Sequence, residues 1–439
     1  LLAAQPLPLE ESFNLHDLQA QLPPAVALIG WVSREESLLG PTPAHWGVVV
    51  RRTGRPIWIQ LPDNYQTETA TGLRDAIARQ DFTPLPELTE QIDTLQRLVW
   101  SPMLSALGPQ GGLPPASHVV VMPSPGLQGI PIVVLAPETV IATYAPSGTL
   151  WAWLRLRGAS AARETRGNRL LALGDPKFDD PSQGAHAVHG LKWSPLPGTR
   201  QEVASLAEVC RRSQIPVDVY LGSAASQQNL LDLVTQEAMP SYRFLHFATH
   251  GEANPHVPLR SRLILAQDGL PDPLVEQTAA NRAITGELTA EAVLRSWNLR
   301  ADLVTLSACE SALGRFTASE GYVGLSQAFL LAGSQSVVSS LWKVDDLATA
   351  FLMMRFYENL LGARDDLSRP LSKGEALHEA KFWLRRVTLA QQQEMLSQVE
   401  RGQPVRTRSA VGTANKVTSE LPYAHPHYWA AFVLIGEGE

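Results

Sequence analysis

Two segments of the chain each place a residue capable of acyl-transfer chemistry directly after an apolar run. The first segment, Phe244–Gly251, ends with His250 followed by a glycine, and the second, Leu303–Ser311, carries Cys309 after a small alanine. A thiolate is a strong nucleophile, and a neighbouring imidazole can accept and return its proton. The pair could therefore cleave an acyl bond if the fold brings the two side chains together.

Both apolar runs have the composition of buried strands in a parallel sheet. In such a sheet, reactive groups gather beyond the carboxyl ends of the strands. If the two strands are neighbours, His250 and Cys309 lie in facing loops at one edge. Gly251 has no side chain, so its N–H can approach a substrate carbonyl closely. Together with the Cys309 N–H it would form an oxyanion hole.

Each residue also has a structural interpretation. A histidine at a strand end is more often structural than catalytic, and a cysteine there is usually a small buried apolar residue. His246 shares a strand face with His250, which predicts a core or supporting role. A zinc site would lack further ligands, so we expect no metal. Cys210 belongs to an apolar helical stripe with Val203, which predicts a core position.

The elements that would position the pair alternate along the chain. After an α+β region of about 100 residues, the pattern predicts strands at Val119–Met122, Leu170–Leu173, Val217–Leu221, Phe244–Thr249, Leu303–Ser307, Val337–Leu341 and, at the end, Trp429–Ile435. Amphipathic helices are predicted at Gln201–Arg212, Gln228–Gln236, Ala290–Trp297, Tyr322–Leu331, Leu347–Leu361 and Lys373–Val387. Thr199 and Glu202 have the spacing of a capping box at the first of these helices. The alternation indicates an α/β fold with a largely parallel sheet covered by helices on both faces.

Composition excludes several classes of protein. The 439 residues are 44% hydrophobic with a net charge of −7, which disfavours nucleic-acid binding. We find no apolar stretch of the roughly 20 residues that a membrane span needs, and no signal peptide. Two cysteines predict a reducing compartment, so we expect a cytoplasmic protein. The chain begins with Leu1, which suggests a fragment or a processed form, and residues 399–420 form a polar stretch that predicts a surface insertion.

The segments His246–Gly251 and Leu306–Ser311 resemble the two catalytic motifs of CHAT domains, which are caspase-like cysteine proteases of clan CD related to separase. Further matches lie at Met122–Gly126, Gly129–Pro131, Tyr144–Ser147, Leu171–Pro176, Leu196–Val203, Glu320–Gly321, Leu341–Asp346 and His425–Phe432. Their order extends the resemblance over about residues 15–436. Pro-Ser-Pro-Gly at 123–126 stands where Pro-Asp-Gly is commoner.

The resemblance implies a caspase-like, mostly parallel sheet sandwiched by helices. It implies an amino-terminal pseudo-caspase half at 1–160 and a catalytic half at 161–439, with the polar insertion in the second. It assigns catalysis by a cysteine endopeptidase to His250 and Cys309, without a cofactor. Family members, often joined to tetratricopeptide repeats, act in bacterial stress, development and defence. The implied partners are a protein substrate, in some cases a gasdermin, and a repeat domain or activating subunit.

The resemblance also implies a site for the substrate residue before the cleaved bond, P1. In separases a similar Leu-Trp-x-Val-x-Asp segment supplies a carboxylate that holds a P1 arginine, and Asp346 matches that carboxylate. Asp345 or Asp346 could instead cap the following helix. Asp175, at the end of another strand, is a second candidate for the P1 site, and its alternative is a turn residue before Pro176.

A caspase-like scaffold that signals by binding without turnover is the competing function. The intact pair of His250 and Cys309 argues against it, because a binding module needs neither. A serine hydrolase is disfavoured because Gly324–Ala328 lacks the second glycine of the nucleophile elbow. The chain also lacks a phosphate-binding loop and a dinucleotide fingerprint.

Overall fold

The computed structural model describes residues 13–34, 44–62, 64–79, 83–122, 127, 129–161, 167–178, 193–254, 256–268, 270, 284–308, 316–317, 321–322, 324–400 and 421–439. The strands are β1 (Val26–Arg34), β2 (Ala44–Val50), β3 (Ile57–Gln60), β4 (His118–Val121), β5 (Ile141–Tyr144), β6 (Arg169–Pro176), β7 (Val217–Gly222), β8 (Tyr242–Ala248), β9 (His250–Glu252), β10 (Arg262–Ile264), β11 (Glu287–Thr289), β12 (Leu303–Ser307), β13 (Phe316–Thr317), β14 (Gly321–Tyr322), β15 (Ser336–Ser340) and β16 (Phe432–Gly436). The α-helices are α1 (Leu15–Ala20), α2 (Thr67–Ala78), α3 (Leu85–Leu95), α4 (Leu104–Leu107), α5 (Gly148–Ala161), α6 (Pro197–Arg212), α7 (Gln227–Thr235), α8 (Ala290–Ser296), α9 (Leu325–Leu331), α10 (Asp346–Leu360), α11 (Lys373–Arg385), α12 (Leu389–Glu400) and α13 (Pro426–Trp429).

One sheet of eleven strands organises the molecule, in the order β3-β2-β1-β4-β5-β16-β15-β12-β8-β6-β7. Its pairings are parallel except for β1 with β2, β2 with β3, and β15 with β16. A small antiparallel sheet, β11-β10-β9, follows the carboxyl end of β8. The mostly parallel α/β architecture that the sequence predicted is therefore confirmed.

Alternate side chains of β8 identify which helices cover each face of the sheet, because successive residues of a strand point to opposite sides. His246 contacts Glu202 of α6 and Tyr357 of α10. The next residue, Phe247, stacks on Phe329 of α9 with ring centroids 5.8 Å apart. Helices α6 and α10 thus pack on one face, and α9 packs on the other.

The complete burial of β12, in which apolar residues alternate with Thr305 and Ser307, accounts for its central place in the sheet. All five of its residues are buried, and its neighbours β8 and β15 run parallel to it. One hydrophobic core extends from β1 to β16, and a smaller cluster lies under α5. Among the helices of the described ranges, none combines the length and apolar character that crossing a bilayer requires.

The predicted elements and the structure differ mainly at their ends. The predicted closing strand at Trp429–Ile435 is a short helix, α13, followed by β16. The helix α6 begins earlier than predicted, with Pro197 in its first turn, a position where a missing N–H costs nothing. Of the predicted polar insertion, residues 401–420 lie outside the described part of the chain.

The strands of the two predicted halves share the main sheet. Strands β1 to β5 come from residues 1–160, and the remaining strands of the large sheet come from residues 161–439. The two groups meet where β5 pairs in parallel with β16, through Tyr144 and Ile435. The assignment of a non-catalytic and a catalytic half stays a prediction.

Candidate active site

The two strands that precede the predicted catalytic residues are direct neighbours. Strands β8 and β12 run parallel, with Phe244 opposite Leu303 and Ala248 opposite Ser307. Both strands therefore end at the same level of the same sheet edge, where neighbouring strands lie about 4.8 Å apart. The register thus places side by side the two strands that lead into His250 and Cys309.

Cys309 itself lies outside the described residues, so its role stays a prediction. The residue before it, Ala308, is described and is buried beside the end of β12. The carbonyl oxygen of Ala308 accepts a hydrogen bond of 2.5 Å from the Ser340 hydroxyl at the end of β15. This bond fixes the backbone that leads from the sheet into Cys309.

His250 is held by a backbone carbonyl that no sequence pattern predicted. Its Nε2 atom lies 2.7 Å from the carbonyl oxygen of Ser194, and a carbonyl can only accept. Nε2 must therefore carry the proton, which leaves Nδ1 as the acceptor of the neutral ring. The ring also packs against Trp193 and Phe178, with centroids 5.1 Å and 5.6 Å from its own.

The surroundings of His250 favour its neutral, basic form. Burial lowers the pKa of His250 below its ordinary value, and the nearby positive charge of Lys343 lowers it further. The Ser194 carbonyl and the negative charge of Asp346 oppose that lowering. A neutral imidazole at neutral pH is the state that can remove a proton from a thiol.

The backbone N–H of Gly251 is directed away from the small sheet. The N–H of Leu265 donates to the Gly286 carbonyl over 2.8 Å, on the β11 side. Because bonding alternates along an antiparallel strand, Leu263 also directs its backbone groups to β11. Leu263 is the residue opposite Gly251 on β9. The Gly251 N–H consequently points away from β10, as the donor of an oxyanion hole must.

The two adjacent aspartates before α10 have different surroundings. The Asp345 carboxylate accepts hydrogen bonds from the N–H groups of Leu347 and Ala348, at 3.1 Å and 2.9 Å, and so caps the helix. The Asp346 side chain instead borders a small cavity of about 30 Å³ that Ala308 also lines. Asp345 therefore caps the helix, whereas Asp346 lines the cavity beside Ala308.

Asp346 is held in an environment that disfavours its charge. Burial raises its pKa above the ordinary value, and the carboxylates of Asp345 and Glu202 raise it further, whereas Lys343 and His250 oppose the rise. Asp346 also borders a second, mainly apolar cavity of about 210 Å³ between α6 and α10. An anionic Asp346 would therefore gain from a cation brought by a substrate.

The carboxylate of Asp175, the other P1 candidate, already has a cationic partner. Arg200 Nε donates to it over 2.7 Å. The Asp175 backbone has a φ of 43°, in the left-handed region, and its N–H donates to the Thr199 hydroxyl over 2.8 Å. A further guanidinium at Asp175 would have to displace Arg200.

Buried polar side chains connect α6, β8, α10 and β12 beneath the site. Glu202 Oε1 lies 2.9 Å from His246 Nε2, and His246 Nδ1 lies 3.5 Å from the Tyr357 hydroxyl. That hydroxyl lies 2.8 Å from the Thr305 hydroxyl. The predicted supporting position of His246 agrees with its complete burial.

The capping box predicted for Thr199 and Glu202 is wrong. Leu196 occupies the N-cap position of α6 and makes no side-chain cap bond. The Thr199 hydroxyl donates to the Leu196 carbonyl over 2.7 Å. The Glu202 carboxylate turns into the sheet to His246, because a buried imidazole competes successfully with a helix terminus that can also bond water.

Cys210 has the core position that its helical stripe predicted. It is fully buried, and burial raises the pKa of its thiol to about 12. Its thiolate is therefore scarce at neutral pH, and Cys210 is a poor nucleophile. Across the described ranges, no cluster of three or more His, Cys, Asp or Glu side chains is arranged to hold a metal ion.

Residues 89–437 match the family model of the CHAT domain. The chain belongs to the CHAT domain family. The match covers both predicted catalytic segments and the strands that carry them. The family resemblance that the motifs indicated is thus confirmed at the level of the whole domain.

Two relatives of this CHAT domain are much longer than the chain. Tetratricopeptide repeat protein 28 of Mus musculus is 26% identical over 285 residues, which cover 60% of this chain and 9% of the mouse protein. The Homo sapiens protein of the same name is 25% identical, with the same coverage. The chain thus spans about a tenth of these relatives.

The fold of this CHAT domain is similar to that of separase. The crystal structure of the Saccharomyces cerevisiae separase–securin complex at 2.6 Å resolution matches with a TM-score of 0.51 and 10% identity. The match covers 95% of this chain and 30% of the separase chain. At this identity the likeness concerns the fold alone, which is caspase-like.

Proposed function

We propose that this CHAT domain is a cysteine endopeptidase with Cys309 as nucleophile and His250 as acid and base. The observation that supports it most is the register of β8 with β12, which ends both strands at one sheet edge. The bond from His250 to the Ser194 carbonyl adds to it, because it orients the ring and selects the tautomer.

In the proposed reaction, His250 Nδ1 takes the proton of the Cys309 thiol. The thiolate attacks the carbonyl carbon of the scissile peptide, forming a C–S bond, and the carbonyl electron pair moves to oxygen. The N–H groups of Gly251 and Cys309 stabilise this oxyanion. His250 then protonates the leaving amine as the C–N bond breaks. A water molecule, deprotonated by His250, hydrolyses the thioester and regenerates the thiol.

We further propose cleavage after a basic P1 residue, bound by Asp346. Its raised pKa reflects an unfavourable buried charge, which a guanidinium would neutralise. Asp345 is the less suited neighbour, because its carboxylate caps α10. Asp175 is the less suited alternative, because Arg200 occupies it.

The proposed substrate is a partner protein. The yeast separase of similar fold was solved as a complex with securin, and the mammalian relatives are named for tetratricopeptide repeats. These names support a protein partner or a repeat domain. We also propose that residues 1–160 form the non-catalytic half and contact that repeat domain or an activating subunit. A reducing, cytoplasmic setting would keep the Cys309 thiol available.

The first test compares the parent with Cys309→Ala and His250→Ala on fluorogenic peptides carrying Arg, Lys, Leu or Asp at P1. Both substitutions should abolish hydrolysis. Cys210→Ala is the matched control, since it removes the other cysteine, whose buried thiol has a raised pKa. Hydrolysis that survives in both active-site variants would refute the assignment. A caspase-like scaffold predicts no turnover in the parent at all.

A further inference from the structure

The cavity beside Ala308 contains polar groups that the proposed function has not used. Besides Asp346, it is lined by Glu202 of α6 and Ser307 of β12. Both side chains are more than nine-tenths buried, with exposed fractions of 3% and 7%. A buried polar group that makes no hydrogen bond costs free energy, so each of these groups needs a partner.

Among the residues that the structure describes, Ser307 has no such partner. Its hydroxyl oxygen is buried and makes no hydrogen bond to any residue that the structure describes. Ser307 has the same strand parity as Thr305, whose hydroxyl bonds Tyr357 of α10, so both point to the face covered by α6 and α10. The Ser307 hydroxyl thus lies on the cavity side, one alternate position closer to Cys309.

One carboxylate oxygen of Glu202 pairs with His246, and within the described part of the chain the other makes no hydrogen bond. Oε1 lies 2.9 Å from His246 Nε2, which fixes the carboxylate. No residue of the described ranges bonds Oε2, although the side chain lines the cavity. The nearness of Glu202 and Asp346 also appears in their electrostatics, because the Glu202 charge raises the pKa of Asp346.

We propose that Glu202 and Ser307 are specificity-determining residues that bind the P1 guanidinium together with Asp346. This inference rests on the proposed peptidase function and names its substrate class as arginine in preference to lysine. Arginine presents five donors in a planar fork, which can reach acceptors from three separate elements. Lysine presents a compact ammonium at the end of a flexible stem, which matches one carboxylate better than three dispersed acceptors.

The cavity beside Ala308 is smaller than a guanidinium. Its volume of about 30 Å³ suits roughly one water molecule. Asp346 also lines the neighbouring cavity of about 210 Å³. A turn of the Asp346 side chain toward the incoming cation would join the two spaces and admit the side chain.

The test separates binding from turnover. In the Cys309→Ala background, calorimetry would measure binding of Nα-acetyl-argininamide, its lysine analogue and its uncharged citrulline analogue. Adding Glu202→Gln or Ser307→Ala should weaken argininamide binding about tenfold each, the effect of one hydrogen bond to a charged group. The ratio of the Kd of the lysine analogue to that of argininamide should fall in the same variants. Tyr357→Phe is the matched control, because it alters the same buried network away from the cavity and should leave binding unchanged.

Ser307→Ala also distinguishes binding from folding. Removing an unbonded buried hydroxyl should leave the melting temperature equal or higher, so weaker binding could not be attributed to unfolding. If both variants bind argininamide as tightly as their parent, the roles of Glu202 and Ser307 are refuted while Asp346 can still select basic residues. If the Cys309→Ala parent binds argininamide no more tightly than its citrulline analogue, both this inference and the basic P1 preference fail, whereas equal binding of argininamide and its lysine analogue refutes this inference alone. Cys309-dependent cleavage of other peptides would still uphold the peptidase assignment.

Discussion

Replacing Asp345 and Asp346 one at a time should separate helix capping from substrate recognition. Asp345→Ala removes two hydrogen bonds at the start of α10, at 3.1 Å and 2.9 Å. Loss of an N-cap costs about 1 kcal/mol of unfolding free energy. Asp346→Asn should cost no stability at neutral pH, because the charge it removes is disfavoured by burial and by neighbouring carboxylates. For activity we expect the reverse, because Asp346→Asn should lower the cleavage of arginine peptides and Asp345→Ala should not.

The magnitude for activity follows from the hydrogen bonds that Asp346 would make to a guanidinium. Bonds to a charged group contribute about 1.5–3 kcal/mol, which corresponds to a fall of about 10- to 150-fold in kcat/KM. Asp346→Asn should therefore lower kcat/KM for an Arg-P1 peptide by that factor and leave a Leu-P1 peptide within about threefold. Asp345→Ala should preserve the ratio of the two substrates.

The free energy of unfolding should also depend on pH through the Asp346 carboxyl. A carboxyl whose pKa is raised on folding stabilises the folded state below its unfolded pKa, and this contribution is lost as pH rises through the raised value. Urea unfolding of the parent should therefore show a loss of stability above pH 4 that Asp346→Asn removes. An Asn variant that keeps its arginine preference, or that is less stable than the parent at pH 7, would refute the reasoning.

Three further predictions concern charge, backbone and the buried network. Lys343→Met removes a cation that lowers the pKa of His250, so the acid limb of the kcat/KM profile should move to higher pH; an unmoved limb would contradict it. Gly333→Ala should cost more than about 3 kcal/mol in urea unfolding, because its φ is 124° and a Cβ would lie 1.9 Å from a carbonyl oxygen. Gly72→Ala, where the Cβ meets nothing within 4 Å, is the control and should be neutral or stabilising. His246→Ala should cost about 3–5 kcal/mol, since it leaves a buried carboxylate unpaired, and a loss below 1 kcal/mol would argue against a buried charge there.

The strands around the site could be predicted from the sequence because each is a short, mainly apolar run that has to be buried in the sheet. The sequence predicted both strands and left their pairing as the condition for a joint site, and the observed register of Ala248 with Ser307 meets that condition. Burial requires such runs to lie inside the sheet whatever the remainder of the chain does. The positions of the two strands that precede His250 and Cys309 could therefore be predicted from the sequence, whereas their pairing came from the structure.

The contacts made by backbone carbonyls and distant carboxylates could not be predicted in this way. The Ser194 carbonyl that bonds His250 is 56 positions away in sequence and has no side-chain signal. Glu202 stands three residues after Thr199, a spacing that local rules assign to a capping box, but tertiary packing turned it toward His246. Ser307 looked like one more residue of an apolar strand, and only its burial without a hydrogen bond makes it a candidate.

The electrostatics of the site connect recognition to catalysis. His250 and Asp346 each influence the pKa of the other, because the negative carboxylate favours the imidazolium and the imidazolium favours the carboxylate. When a cationic P1 side chain pairs with Asp346, the pair presents little net charge to His250. The carboxylate then no longer favours protonation of the ring, whereas burial and Lys343 still lower its pKa. Occupation of the pocket by the correct substrate should thus hold His250 in the neutral form that the first proton transfer requires.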